Sequence, residues 1–188
     1  MANADTPRGA WPLRHLTGGT IRASEHTLAS TFGTNIFRGD FVKLVAGGGI
    51  EDADAGDRLL GVFQGVEYTT SSGDVVFSKY WPASTTATDI KCYVYDDPKI
   101  VFGVQSAGST VAADVGNLGD HVAGAGSTTT GLSAHEINGT TGTAYAGLRV
   151  LGKSDAPDNA WGTNVILEVQ IYEHEYGGTS LEATTPGV

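Results

Sequence analysis

Alternation of apolar and polar side chains is clearest near the end of the chain, over residues 164–174. Val165, Leu167, Val169 and Ile171 recur at a spacing of two residues, while polar side chains dominate the positions between them. This is the pattern of a half-buried strand. Burying each of the four apolar side chains is worth about 1.5–3 kcal/mol, so the pattern predicts that this strand lies on a larger sheet.

Residues 145–151 are predicted to be the partner of this strand. The segment between the two, residues 152–162, is rich in Gly, Pro, Asp and Asn, which favour turns rather than a helix. The two runs are therefore predicted to form an antiparallel pair with a long connecting loop.

Shorter apolar runs bounded by turn residues predict further strands at residues 41–45, 59–68, 74–81, 90–95 and 99–105. The last two flank a turn at residues 96–98 and are expected in one sheet. The helical signal is limited to a single turn that Asp114 would cap.

Composition agrees with this pattern, because the chain of 188 residues contains 27 glycines and only 17% charged residues, a balance that favours short strands and tight turns. We therefore predict an all-β protein, built as a single antiparallel β-barrel or sandwich-like domain. Its predicted organisation is an extended N-terminal arm over residues 1–20, a β domain over residues 21–176 and a flexible C-terminal tail over residues 177–188.

The arm is predicted to carry no regular element, since Pro7 and Pro12 restrict its backbone to extended conformations. Apolar and cationic side chains are nevertheless interleaved along it. Aromatic and arginine side chains are common interface anchors, so we predict docking on a neighbouring subunit, with Trp11 as the anchor and the arginines paired with carboxylates. The alternative is that the arm folds back over its own core. The predicted interface residues are Arg8, Trp11, Leu13, Arg14, His15 and Leu16.

Charge limits the classes of partner. Lys and Arg number 11 against 21 Asp and Glu, giving a net charge of -10, and such a surface repels phosphate backbones. No apolar run approaches the ~18 residues of a membrane span, and the N-terminus lacks the segments of a signal peptide. With Cys92 as its single cysteine, the chain is expected to be made and kept in a cytoplasm, without nucleic-acid or membrane partners.

Two motifs resemble ligand-binding loops. Residues 147–154 match the phosphate-binding pattern G-x-x-x-x-G-K-[ST], but the four middle residues favour a strand and no helix signal follows, so nucleotide binding is not predicted. The acidic stretch 51–57 spaces Asp52 and Asp54 like calcium ligands but lacks the remaining ligands. It is interpreted as a solvated hairpin tip, with weak calcium binding left open.

Other reactive side chains form no predicted site. The five histidines have no zinc-binding spacing, residues 173–175 are interpreted as a surface pattern, and Cys92 as a small buried side chain. Asp96 and Asp97 are interpreted as turn formers before Pro98. No catalytic residue, cofactor or metal is predicted.

Taken in order, several motifs resemble a family of tailed-phage proteins, the capsid decoration or cement proteins. The N-terminus begins Met1-Ala-Asn-Ala and leads to Arg14-His15-Leu16, as in that family. The similarity extends to about residue 176. The remaining matching segments are residues 80–83, 93–102, 114–118, 124–132, 148–152 and 158–164.

This resemblance implies a structural role without catalysis. Members lie on the outside of the virion, commonly as homotrimers, and hold neighbouring subunits of the major capsid protein together. Two other classes remain open on the residues alone. A carbohydrate-binding β-domain of a tail fibre or adhesin would need an exposed aromatic platform such as Trp81 or Trp161, and a small β-sheet hydrolase would need a nucleophile or an acid pair that the sequence does not indicate.

Overall fold

A computed structural model describes residues 3–28, 32–139 and 147–177. Within these residues the chain forms seventeen strands and a single 3₁₀ turn at Ala112–Asp114, which confirms the all-β prediction. The strands are β1 (Trp11–His15), β2 (Ser24–Leu28), β3 (Ile36–Phe37), β4 (Phe41–Leu44), β5 (Gly49–Asp52), β6 (Gly61–Thr70), β7 (Val75–Ser78), β8 (Tyr80–Trp81), β9 (Ala87–Tyr95), β10 (Ile100–Gln105), β11 (Ser109–Thr110), β12 (Leu118–Gly119), β13 (His121–Val122), β14 (Glu136–Ile137), β15 (Leu148–Lys153), β16 (Gly162–Thr163) and β17 (Ile166–Ile171).

Five strands close into a small barrel in the order β4-β5-β2-β9-β6, because β6 also pairs with β4. The β2–β5 pair is parallel and the other pairs are antiparallel. The barrel forms one apolar cluster that includes Val42, Ile50, Phe63 and Val94. Strand β7 pairs with β6 outside this ring.

A second, open sheet has the order β1-β10-β17-β15-β12, with every pair antiparallel. Strand β17 lies at its centre, and Val165, Leu167, Val169 and Ile171 are all buried, which confirms the predicted strand. Its predicted pairing with the preceding run is also confirmed over β15, where Val150 lies opposite Val169. Residues 145 and 146 of that run lie outside the described residues.

The main core lies between the open sheet and the barrel. Strand β10 has β1 on one edge and β17 on the other, and all six of its residues are buried. The cluster joins side chains from both units, including Phe41, Leu59 and Val62 from the barrel region and Phe102, Leu148 and Leu167 from the open sheet.

The expectation that the strands before and after residues 96–98 share a sheet is wrong. Strand β9 belongs to the barrel and β10 to the open sheet. The turn is held from both sides, because Asp96 Oδ2 lies 3.0 Å from His26 Nε2 of β2 and Asp97 Oδ2 lies 3.1 Å from His15 Nε2 of β1. The turn thus carries the chain from one unit to the other.

Two further surface interpretations are corrected. His174 is 1% exposed, because the chain after β17 crosses the start of β6: the Leu59 N–H donates to the Glu173 carbonyl and the Glu175 N–H donates to the Leu59 carbonyl. The acidic stretch 51–57 is a solvated tip only in part, since Ala53 is buried and Asp52 is half-buried. In the described part of the chain, no helix is long and apolar enough to cross a membrane.

Candidate interaction surface

The predicted arm contains an ordered edge strand. Strand β1 pairs antiparallel with β10, with Trp11 opposite Gly103 and His15 opposite Ile100. The expectation that residues 1–20 form no regular element is therefore wrong. Pro12, which has no N–H, is tolerated because an edge strand needs hydrogen bonds on one side only, and a register shift follows it before Arg14.

The residues before β1 are tied to the same chain. The Asn3 side-chain amide donates to the carbonyls of Ala160 and Thr163, both at 2.8 Å. Buried Gln105 donates to the Ala4 carbonyl and accepts a hydrogen bond from the Thr6 N–H. These contacts support the alternative in which the arm folds back over its own protein.

Trp11 also contacts its own chain. A Cβ placed on Gly103 would lie 2.6 Å from the Trp11 ring, so the absence of a side chain at position 103 lets the indole lie against β10. The Arg8 guanidinium lies 3.9 Å from the ring centroid, a cation–π distance. Trp11 is half-buried and Arg8 is exposed. The pair forms an ordered aromatic and cationic patch on the surface.

Arg14 and His15 of the predicted interface both pair within the chain. Arg14 Nη2 lies 3.0 Å from Glu168 Oε2, and because Arg14 is half exposed this bond is worth about 0–1 kcal/mol. His15 Nδ1 accepts the Gly19 N–H at 3.1 Å, so Nε2 carries the proton and donates to Asp97. The Lys99 N–H and this imidazole hold the pKa of Asp97 below its usual value.

Leu13 and Leu16 are the predicted interface residues that stay apolar and exposed, at 37% and 41%. The edge of β1 that faces away from β10 pairs with no described strand. Beside Arg8 and Trp11 lies a cavity of about 570 Å³, whose lining also includes Thr6, Gln105 and Leu132. We define the β1 surface as the exposed parts of Arg8, Trp11, Leu13 and Leu16 together with this edge.

A second exposed apolar edge was not predicted from the sequence. Phe77 and Val75 on β7 are 73% and 58% exposed, and β7 ends the barrel sheet with no described partner on its outer side. Exposure alternates along residues 75–78, but Val75, Val76 and Phe77 are all apolar, so the sequence does not indicate which face is covered. We define the β7 surface as Val75, Phe77 and the outer edge of this strand.

The aromatic platform of the carbohydrate-binding alternative does not form at Trp81. Its ring is buried, at 2% exposure, and packs edge-on against Tyr68 with the centroids 5.3 Å apart. Trp161 is half-buried and packs against the main core. The buried Trp81 ring therefore presents no open face of the kind that stacks on a sugar.

A serine, a histidine and an aspartate do meet at one point, but in the wrong order for a hydrolase. The Ser24 hydroxyl donates to Asp96 Oδ1 at 2.8 Å, and His26 Nε2 lies 3.0 Å from Asp96 Oδ2. The carboxylate thus binds both partners, whereas nucleophile activation needs the imidazole between serine and acid.

The two ligand-like motifs and the cysteine have simple structural roles. Residues 148–153 of the phosphate-loop match form β15, in agreement with the strand predicted for its middle residues. Burial raises the pKa of the Cys92 thiol to about 12, so this side chain is unreactive, as expected for a residue inside the barrel.

Comparisons with protein-family models, with curated proteins and with solved structures found no match to this chain.

Proposed function

We propose that this chain is a virion structural protein that decorates the outer surface of a phage icosahedral capsid. It would be made in the host cytoplasm and would stabilise the shell by bridging neighbouring subunits of the major capsid protein. The order and spacing of the motifs shared with the decoration protein family are the first support for this role. The acidic net charge of -10 suits an outer surface, away from packaged DNA.

The observation that carries the proposal is the β1 surface. In an acidic protein, it combines an arginine stacked on an indole with two exposed leucines along an unpaired strand edge. Exposed strand edges are recognised by strand addition, and Trp and Arg are enriched among the residues that dominate binding energy. A protein partner, the shell, fits this surface better than a nucleic acid or a membrane does.

Self-association, most simply as a homotrimer, is the second part of the proposal. The β7 surface exposes Phe77 and Val75 beside an unpaired edge, and an edge of this kind invites contact with another chain. A contact between two different patches closes into a ring when the rotation between copies permits. Light scattering is expected to give a mass of three chains, and Phe77→Ser is expected to lower it. A wild-type monomer at micromolar concentration contradicts this part.

Co-sedimentation with undecorated shells of the corresponding phage tests the shell contact. We expect the wild-type chain to pellet with the shells and Leu16→Ser to weaken binding about tenfold, which corresponds to about 1.4 kcal/mol. Val115→Ser is the matched control, because Val115 is exposed to a similar degree, 45%, but lies outside both surfaces. Equal binding by the two variants refutes the role of the β1 surface, and absence of wild-type binding refutes the proposed function.

A further inference from the structure

Three side chains distant in sequence meet at one end of the barrel. Asp40 directly precedes β4, Asp52 ends β5 and His135 directly precedes β14. His135 Nε2 lies 3.5 Å from Asp40 Oδ1 and 3.5 Å from Asp52 Oδ1, and one ligand atom from each residue falls within 4.8 Å of the others. This spacing is compatible with three ligands around a single ion.

Both carboxylate oxygens that face the imidazole lack a hydrogen bond. Asp40 Oδ2 accepts the Phe37 N–H at 2.6 Å, but Asp40 Oδ1 and Asp52 Oδ1 are buried without a hydrogen-bond partner. Asp40 itself is 1% exposed. Buried polar atoms are normally paired, so two unpaired carboxylate oxygens aimed at one point indicate that the site takes up a positive group.

The surrounding side chains do not supply that charge. The His135 imidazole is a neutral ring, because its Nδ1 accepts the Phe41 N–H. His121 is stacked on it, with the ring centroids 5.6 Å apart, and its Nε2 lies 2.7 Å from the Ala53 carbonyl oxygen. Lys43 is the cation at the nearby cavity, and its ammonium lies 2.8 Å from Asp57 Oδ2. The two carboxylates therefore share a site without a protein cation between them.

We propose that Asp40, Asp52 and His135 bind one divalent transition-metal cation, with Zn²⁺ or Mn²⁺ as the fitting class. Two carboxylate oxygens and one imidazole nitrogen are ligands that both ions accept, and water would complete the coordination. This proposal is independent of the capsid role.

The imidazole must change tautomer when the ion binds. His135 Nδ1 accepts the Phe41 N–H at 3.3 Å, which leaves the proton on Nε2 in the ion-free ring. On binding, that proton moves to Nδ1, the Nε2 lone pair binds the ion and the Phe41 contact is lost. The contact is at the long end of hydrogen-bond geometry, so it is a weak obstacle to coordination.

Solvent access to the site is provided by a cavity of about 510 Å³. Asp40 and Asp52 line it together with Glu51 and Asp54, and the Asp52 side chain is 31% exposed. A pocket lined by carboxylates raises the local concentration of cations. An ion can therefore reach Asp52 from solvent and pass to the buried Asp40.

Isothermal titration of the full chain, after chelator treatment and at pH 7.5, tests the proposal. We expect Zn²⁺ or Mn²⁺ to bind one per chain and to raise the melting temperature, while Ca²⁺ and Mg²⁺ bind more weakly. Asp52→Asn is expected to lower the affinity at least about 100-fold, since even residues that only orient metal ligands commonly account for 10–100-fold. Asparagine has nearly the same shape as aspartate, so folding should be retained.

Asp54→Asn is the matched control, because Asp54 lines the same cavity but lies outside the three-residue cluster. It should bind the ion within about threefold of wild type, because it removes attraction at a distance but no ligand. Co²⁺ used as a probe should give the visible absorption of a low-coordinate site in wild type and in Asp54→Asn, but not in Asp52→Asn. Absence of binding by all four cations overturns the proposal, as does equal weakening in the two variants, which would indicate adventitious binding to an acidic surface.

Discussion

A side chain at position 103 is predicted to dislodge Trp11 and thereby to disturb the β1 surface from the neighbouring strand β10. Gly103 of β10 lies opposite Trp11, and a Cβ there would approach the indole to 2.6 Å. Because no positive φ is required at Gly103, the backbone accepts alanine. In Gly103→Ala the ring must therefore move, and its contact with Arg8 is lost.

The expected cost follows from what the ring buries. A tryptophan buries about 150–250 Å², so losing about half of that at roughly 25 cal/mol per Å² costs about 2–3 kcal/mol. Loss of the cation–π contact adds about 0.5–1 kcal/mol. Replacing a strand glycine returns about 0.5–1 kcal/mol. The net destabilisation is about 1.5–3.5 kcal/mol, which lowers the melting temperature by roughly 3–14 °C in a chain of this size.

Gly152→Ala is the matched control for this prediction. Gly152 is also a strand glycine, in β15, and a Cβ there meets no atom within 4 Å. Thermal unfolding should show Gly152→Ala at or above the wild-type melting temperature and Gly103→Ala clearly below it. Hydrogen exchange should be faster over β1 in Gly103→Ala alone. Equal melting temperatures, with unchanged exchange in β1, refute the packing described for Trp11.

Three further predictions concern the arm, the core and pH. Deleting residues 1–16 removes β1 and buried Ala10, so thermal unfolding should occur at a markedly lower temperature; an unchanged value contradicts the docking of the arm on its own chain. Leu167→Ala empties a fully buried position of β17 and should cost about 2–5 kcal/mol in urea denaturation; a loss below about 1 kcal/mol speaks against the central position of this strand. Burial lowers the pKa of His174 from 6.5 to about 4, so between these pH values the unfolded chain binds a proton here that the folded chain does not. The contribution of His174 to stability is therefore fully present above pH 6.5 and is lost as pH falls through 4. Between pH 7.5 and 5 this amounts to about 2 kcal/mol. His174→Asn keeps an acceptor for the Tyr176 N–H and should reduce the acid-induced loss; identical pH profiles would exclude His174 as its source.

Local patterning predicted the elements of the fold well. The alternation identified the three buried side chains of β17 and that of Val165, which directly precedes the strand. The turn residues that follow β15 indicated the antiparallel pairing of β15 and β17. These features depend on residues that are close in sequence, so the pattern of a single sequence reveals them.

Features that depend on distant residues were not predicted. A turn at residues 96–98 is compatible with a hairpin, and the two histidines that hold it between the barrel and the open sheet lie about 70–80 residues away. The burial of His174 follows from the path of the chain across Leu59. No sequence pattern around the turn or around His174 reveals these contacts.

The candidate sites show the same contrast between local features, which were predicted, and contacts between distant residues, which were not. The composition of residues 8–16 predicted an interaction surface. It did not predict that the Trp11 ring packs on β10 at Gly103, where no side chain occupies the space. The spacing of the histidines in sequence indicated no metal site. In the structure, however, His135 lies next to two aspartates that are more than 80 residues away in sequence. A ligand set drawn from three separate segments leaves no local motif.

Electron cryomicroscopy of undecorated shells incubated with the purified chain tests the central claim most directly. The capsid proposal predicts added density on the outer surface, between neighbouring capsid subunits, into which the barrel and the open sheet fit with β1 toward the shell. Shells that gain no density, or density confined to the inner surface or the tail, would contradict it.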